Sequence, residues 1–108
     1  ESGAPVIYAC NLMTKLGETD GYGAWDFASE VVHYLAIRKL DYLLVNRTKF
    51  SKQVVESYAD EGASPVEVDS TRTEQFAHQT IVADIAHIEG LKIRHNSEKL
   101  AEIVMSAI

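Results

Sequence analysis

Cys10-Asn11-Leu12-Met13-Thr14-Lys15-Leu16-Gly17-Glu18-Thr19-Asp20-Gly21-Tyr22 is a polar, glycine-punctuated stretch set between two apolar segments of different period. Before it, Pro5 to Ala9 is a short β-branched and aromatic run, the pattern of a buried strand. After it, Ala24 to Ala36 carries apolar residues at helical spacing. The passage is therefore a strand, a loop and a helix, and the loop is longer than the roughly two to six residues a βα connection needs. Asn11, Thr14, Lys15, Glu18, Thr19, Asp20 and Tyr22 all carry hydrogen-bonding groups. Long polar loops at the carboxyl end of a parallel strand are where α/β proteins hold their ligands.

The first strand, extended to Asn11, is apolar on both faces and suits the interior of a parallel sheet. Gly17, Gly21 and Gly23 permit sharp turns in the loop. The following helix aligns Ala24, Phe27, Ala28, Val31 and Leu35 on one face, with Asp26 near its positive end and Arg38 and Lys39 closing it. Asp41 to Val45 reads as a second strand ending at Asn46. Ser51 is placed to cap a helix whose Val54, Val55 and Tyr58 share a face, and Gly62 to stop it. Pro65 to Val68 then reads as a third strand, closed by Asp69. Successive strand–helix units imply right-handed crossovers and a parallel sheet. Ser70 to His78 reads as a turn with a short helical piece, Thr80 to Ala83 as a fourth strand, and Gly90 breaks the segment begun at Ile85. Asn96 is placed to cap a last helix bearing Leu100, Ile103, Val104 and Ile108 on one face.

The formal net charge of −6 argues against a nucleic-acid polymer as partner, because phosphate backbones need clustered Lys and Arg. A local basic pocket for one nucleotide is compatible with it. Cys10 is the single cysteine, so no intrachain disulfide forms and a reducing cytoplasm is the expected setting. No apolar run reaches the roughly 18 residues of a membrane span. The start at Glu1, without an initiator Met, reads like a cut in a longer polypeptide.

With parallel neighbours, the first two strands deliver Asn11 and Asn46 to one edge of the sheet. Amides there either bind a ligand's polar groups or cap local backbone. Thr14, Glu18, Thr19 and Asp20 pose the same choice: cation or acid–base chemistry against hydrogen bonding within the loop. His78, Asp84 and His87 form a conceivable metal set, without an HExxH pattern behind it. His33 reads as solvent-facing, and Cys10 as a small core residue, since nothing nearby lowers its pKa. Lys92, Arg94 and His95 stand immediately before the last helix, either as a plain exposed basic turn or as a place where helix N–H groups and guanidinium can face an anion.

The loop from Cys10 to Tyr22 resembles that of the gluconeogenesis factor family, bacterial cytoplasmic proteins in the superfamily of 2-phospho-L-lactate transferase. Further similar stretches occur in the family's order: Asp41 to Asn46, Val54 to Asp69 with Tyr-Ala-Asp-Glu-Gly and Pro-Val-Glu-Val-Asp, then Arg94-His95-Asn96 and Glu98-Lys99-Leu100-Ala101. The family is roughly three times this length by domain reckoning, and its glycine-rich nucleotide loops lie in its N-terminal half. The chain thus resembles the C-terminal third, so that residues 1–108 form the C-terminal portion of a single CofD-like domain. Where the family tends to open the first helix with Ser and then Asp-His, this chain has Trp25, Asp26 and Phe27, and only Asp26 matches.

The resemblance implies an α/β fold with a Rossmann-like parallel sheet and flanking helices, part of a larger domain. It implies a nucleotide or nucleotide sugar as ligand, UDP-N-acetylglucosamine in first place, and a link to carbon metabolism, cell-wall formation and cell shape. Magnesium accompanying the diphosphate is the cofactor it suggests. The alternative is a transferase like the family's cousins, using Glu18 and Asp20. Carried across residue by residue, Asn11, Thr14, Glu18, Thr19 and Asp20 become the cleft wall and Arg94 the partner of the diphosphate; Asn46 stands beside them as a ligand-binding candidate by its place at the strand end. A homodimer through Trp25 and Tyr34 is a further expectation.

Overall fold

The computed structural model of the protein describes residues 5–107. Three parallel strands form the sheet in the order β1 (Ile7–Ala9), β2 (Leu40–Asn46) and β3 (Ala77–Ala83). Ile7 lies opposite Tyr42 and Ala9 opposite Leu44, while Leu40 faces Ala77 and Asn46 faces Ala83. The expected α/β class with a parallel sheet and flanking helices is what the chain adopts.

The central strand β2 is apolar on both sides because both sides are covered. Leu43 and Val45 pack with Ala24, Phe27 and Ala28 of α1 (Ala24–Leu35). Leu44, Tyr42 and Ile81 pack with Ile85, Ile93 and the Leu100–Ile103 stripe of α4 (Ser97–Ala107). The helix α1 starts where the Asp26 carboxylate accepts a hydrogen bond from the Gly23 N–H at 2.8 Å. It ends at Ala36, which adopts a left-handed conformation. Leu35, assigned above to the buried face, is 46% exposed and lies outside the core cluster that Ala24, Phe27 and Ala28 form.

Helix α2 (Lys52–Ala59) is capped by Ser51, whose hydroxyl accepts from Val54 N at 3.3 Å, and Gly62 turns the chain after it with a φ of 77°. The short α3 (Ser70–Thr73) is capped by Asp69. A hairpin, β4 (Ala86–Glu89) and β5 (Lys92–His95), then crosses to α4.

Two readings of the sequence are corrected. Pro65 to Val68 is not a strand of the sheet, where Ala77–Ala83 is the third strand. Pro65 lacks an N–H, and the backbone on either side of it bonds the first loop instead: Val66 N donates to Leu12 O at 3.1 Å and Ala24 N to Glu67 O at 2.7 Å. Lys92 to His95, read as a turn before the last helix, is a strand paired antiparallel with β4. The helix N-terminus behind it is satisfied by Asn96, whose side chain accepts from Lys99 N at 3.0 Å. Expectations for the chain's start and for Ile108 fall outside the described residues.

Candidate functional site

Cys10 extends the β1–β2 ladder by one bond, donating to Leu44 O at 2.9 Å, and the chain then leaves the sheet. The loop beyond Cys10 is stiffened from behind by the 64–67 segment. Thr14 is buried, its N–H on Ser64 O at 2.8 Å, and its hydroxyl accepts from Ser64 N at 3.0 Å and meets the Ser64 hydroxyl at 3.1 Å. Within the loop, Lys15 N donates to the Thr19 hydroxyl at 2.7 Å and Gly17 N to the Asp20 carboxylate at 3.0 Å. Glu18 pairs with Lys15 at 3.4 Å. Gly17 and Gly21 take φ of 79° and 73°, conformations that only glycine adopts without strain. The Tyr22 hydroxyl donates to the Glu30 carboxylate, which raises the pKa of the phenol.

Asn11 and Asn46 reach the same carboxyl edge, and both line a cleft of about 380 Å³ with Arg47, Lys49, Val55 and Val66. Their amides are used differently. Asn46 Oδ1 accepts from Thr48 N at 3.0 Å and Ile85 N at 3.3 Å, while its Nδ2 donates to Thr48 O at 3.1 Å. Asn11 is exposed and accepts the Tyr8 hydroxyl on Oδ1 at 3.1 Å. It also borders a second depression of about 420 Å³, shared with Thr14, Lys15, Tyr58 and Glu61.

The β4–β5 hairpin is fastened beside Asn11. Ile93 N donates to the Tyr58 hydroxyl at 2.8 Å, and His95 Nε2 lies 3.0 Å from the carbonyl oxygen of Cys10. Strand alternation puts Arg94 on the other, solvent-facing side of the hairpin with His87, Glu89 and Lys92. Its guanidinium is 3.4 Å from Glu89, both side chains more than half exposed, and it lines neither of the two depressions that Asn11 borders.

Cys10 is 2% exposed and burial pushes its pKa up to about 12, the behaviour of a core thiol and not of a nucleophile. His78, Asp84 and His87 are not brought together. The Asp84 carboxylate receives Arg47 and Thr48, and among the described residues no three His, Cys, Asp or Glu side chains are grouped to hold a metal. Trp25, expected on the surface, is partly covered: its ring lies under the Arg72 guanidinium at 4.6 Å, and that guanidinium pairs with Asp69. Tyr34 is 87% exposed. Sequence reasoning missed the 64–67 segment as the backing of the loop, because nothing in the linear pattern pairs Ser64 with Thr14. It also missed Arg47, Thr48 and Lys49, which come directly after Asn46.

The family model described as 2-phospho-L-lactate transferase CofD matches residues 1–86. A Thermotoga maritima protein classed with the gluconeogenesis factors is 40% identical over 96% of this chain and 34% of its own length. The gluconeogenesis factor of Halalkalibacterium halodurans is 33% identical over 97% of this chain and 33% of its own length. A crystal structure of a UPF0052 family protein from Bacillus halodurans superposes with a TM-score of 0.89 at 33% identity, covering 97% of this chain and 34% of that one. The chain thus spans about a third of the length of the curated relatives it matches. Among the described residues no helix is long and apolar enough to cross a membrane.

Proposed function

Because the chain belongs to the 2-phospho-L-lactate transferase CofD family, among its gluconeogenesis factors, we propose that the intact protein is a regulatory binder of a nucleotide sugar, UDP-N-acetylglucosamine, in the cytoplasm. This chain supplies one wall of the site at the carboxyl edge of the sheet. The observation that carries the proposal is the position of Asn11, on the crest between two depressions, with the β5 hairpin fastened to the carbonyl of its neighbour Cys10. Arg94, one residue from that contact, stands on the opposite, solvent-facing side of β5.

Arg94 is the residue for the diphosphate. Its pairing with Glu89 is an exposed ion pair, worth little in water and readily exchanged for a phosphate. Arg47 and Lys49 add positive charge to the cleft that Asn11 lines. Thr14, Glu18, Thr19 and Asp20 act by holding the loop that presents Asn11, and Asn46 by fixing the far rim. Magnesium enters with the diphosphate. The ties to carbon metabolism, cell-wall formation and cell shape belong to the same proposal, as does a homodimer, which would use Tyr34. Transferase chemistry, named in the description of the matched family, finds less support, since Glu18 and Asp20 already hold Lys15 and the Gly17 N–H.

Calorimetry with UDP-N-acetylglucosamine on the intact protein tests the reading. Arg94→Ala is expected to weaken binding by about 1.5–3 kcal/mol, ten- to a hundredfold, as for a charge-assisted bond to phosphate. Equal affinity of both proteins would remove Arg94 from the site.

A further inference from the structure

Two asparagines stand on one sheet edge, and only one of them is left open. Asn46 has both ends of its amide bound to backbone of Thr48 and Ile85. Asn11 has its carbonyl end bound by the Tyr8 hydroxyl at 3.1 Å, and its Nδ2 makes no hydrogen bond among the described residues. We infer that Tyr8 is a positioning residue that fixes the Asn11 amide with its N–H pair facing the cleft, so that Asn11 donates to an oxygen acceptor on the ligand and discriminates against a donor there. The inference rests on the nucleotide-sugar reading and adds to it a polarity and a second residue.

Tyr8 is suited to this. It lies on β1, half-buried against the core cluster under α1, so its ring is immobilised by packing and not by the ligand. Three residues on, Asn11 has already left the ladder, within reach of the hydroxyl. The phenol, like any tyrosine, keeps its proton at neutral pH and has one to give to Oδ1, and burial with the neighbouring Cys10 pushes it further up, to about 12. With the carbonyl end engaged, rotation of the amide by half a turn would set Nδ2 against the hydroxyl and require the phenol to accept instead. A phenol can serve either end, so the orientation rests on the bond the structure holds, Tyr8 hydroxyl to Asn11 Oδ1, and the N–H groups it leaves outward match the oxygen-rich surface of a nucleotide sugar.

The test is calorimetry of UDP-N-acetylglucosamine and of UDP with the intact protein and four variants. Tyr8→Phe keeps the ring and removes the hydroxyl, and is expected to weaken binding about three- to tenfold. In an Asn11→Ala background, where there is no amide to orient, the same change should have no further effect. A purely structural role of Tyr8 would instead give the same loss in both backgrounds. Asn11→Asp, nearly isosteric but without donors, should weaken binding about a hundredfold or more. A penalty for Tyr8→Phe that persists with UDP puts the acceptor on the nucleotide; one that vanishes puts it on the sugar.

Unchanged affinity in Tyr8→Phe, equal losses in both backgrounds, or undiminished binding by Asn11→Asp would each overturn the inference while leaving the nucleotide-sugar reading intact. Failure of the unaltered protein to bind either compound would overturn that reading, and the inference with it.

Discussion

Cys10 joins the strand to the loop, and its thiol sits in the core cluster with Phe27 and Leu43. Its pKa rises from 9.0 to about 12 because burial disfavours the thiolate. Tyr8 shifts from 10.0 to about 12 for the same main reason. Both groups are neutral when protonated, and the folded state holds the proton more tightly. Below the unfolded values, each contribution to stability is fully present. As pH rises, the unfolded chain ionises first and is favoured, so stability falls across the interval up to the folded values, by at most about 1.4 kcal/mol per pH unit for each group. Denaturant titrations of the intact protein at intervals from pH 8 to pH 11 should show this decline, and Cys10→Ala should make it shallower. A decline just as steep in Cys10→Ala would show the thiol to be uninvolved. The core role of Cys10 was legible from the sequence, since an apolar strand ended there without a basic neighbour. The engagement of Thr14 with Ser64 was not, because nothing in a linear pattern shows that two hydroxyls so far apart in the chain will face each other.

The loop from Asn11 to Gly23 and the 64–67 segment form one unit, although they belong to different strand–helix passages. Their junction is tight at Gly62, where φ is 77° and an added Cβ would come within 2.8 Å of the Leu16 side chain. Gly17 has a similar φ of 79° but open space around it. The pair separates two costs that usually come together. Gly17→Ala should destabilise by about 1 kcal/mol through backbone strain alone. Gly62→Ala should cost more, because Leu16 must also move, and should loosen the loop so that amide exchange at Lys15 and Thr19 accelerates. Equal losses in the two variants would show that Leu16 yields freely. The same unit explains why the third strand was misread. Pro-Val-Glu-Val has the alternation of a strand, and its backbone does bond as extended chain does. Its partners are Leu12 of the loop and Ala24 at the start of α1 rather than a sheet neighbour, and local pattern carries no information about the partner. The first two strands were readable because β2 is buried on both faces and so has one continuous apolar run. The true third strand was seen only at its apolar end, since its opening residues Ala77 to Gln79 include the exposed His78 and Gln79 at the sheet edge.

The sheet, the hairpin and the last helix meet at Ile85, which is fully buried. Its N–H donates to Asn46 Oδ1, and its carbonyl accepts from Asn96 N at 2.8 Å. Asn46 thus brackets the end of β2 to the point where the chain leaves β3 and enters the hairpin, and Asn96 brackets that point to the start of α4. The position of β5 at the carboxyl edge of the sheet depends on this joint, with His95 and Tyr58 as its outer contacts. Asn46→Ala removes an acceptor shared by two backbone N–H groups, one of them beside a buried side chain. It should therefore cost about 1–3 kcal/mol of stability. The hairpin amides from Ala86 to His95 should exchange faster, because the bracket that sets their distance from the sheet is lost. Affinity for a nucleotide sugar should fall only as far as the hairpin is displaced, and addition of ligand should restore part of the exchange protection, since binding favours the docked arrangement. A direct ligand contact by Asn46 predicts the reverse: near-normal stability and exchange with a large loss of affinity. Hydrogen exchange monitored by mass spectrometry on the intact protein, with and without UDP-N-acetylglucosamine, distinguishes the two. The position of Asn46 at the strand end was legible in advance, but its role was not. Asparagine at a strand end serves a ligand and a backbone equally well, and only the placement of Ile85 in space decides between them.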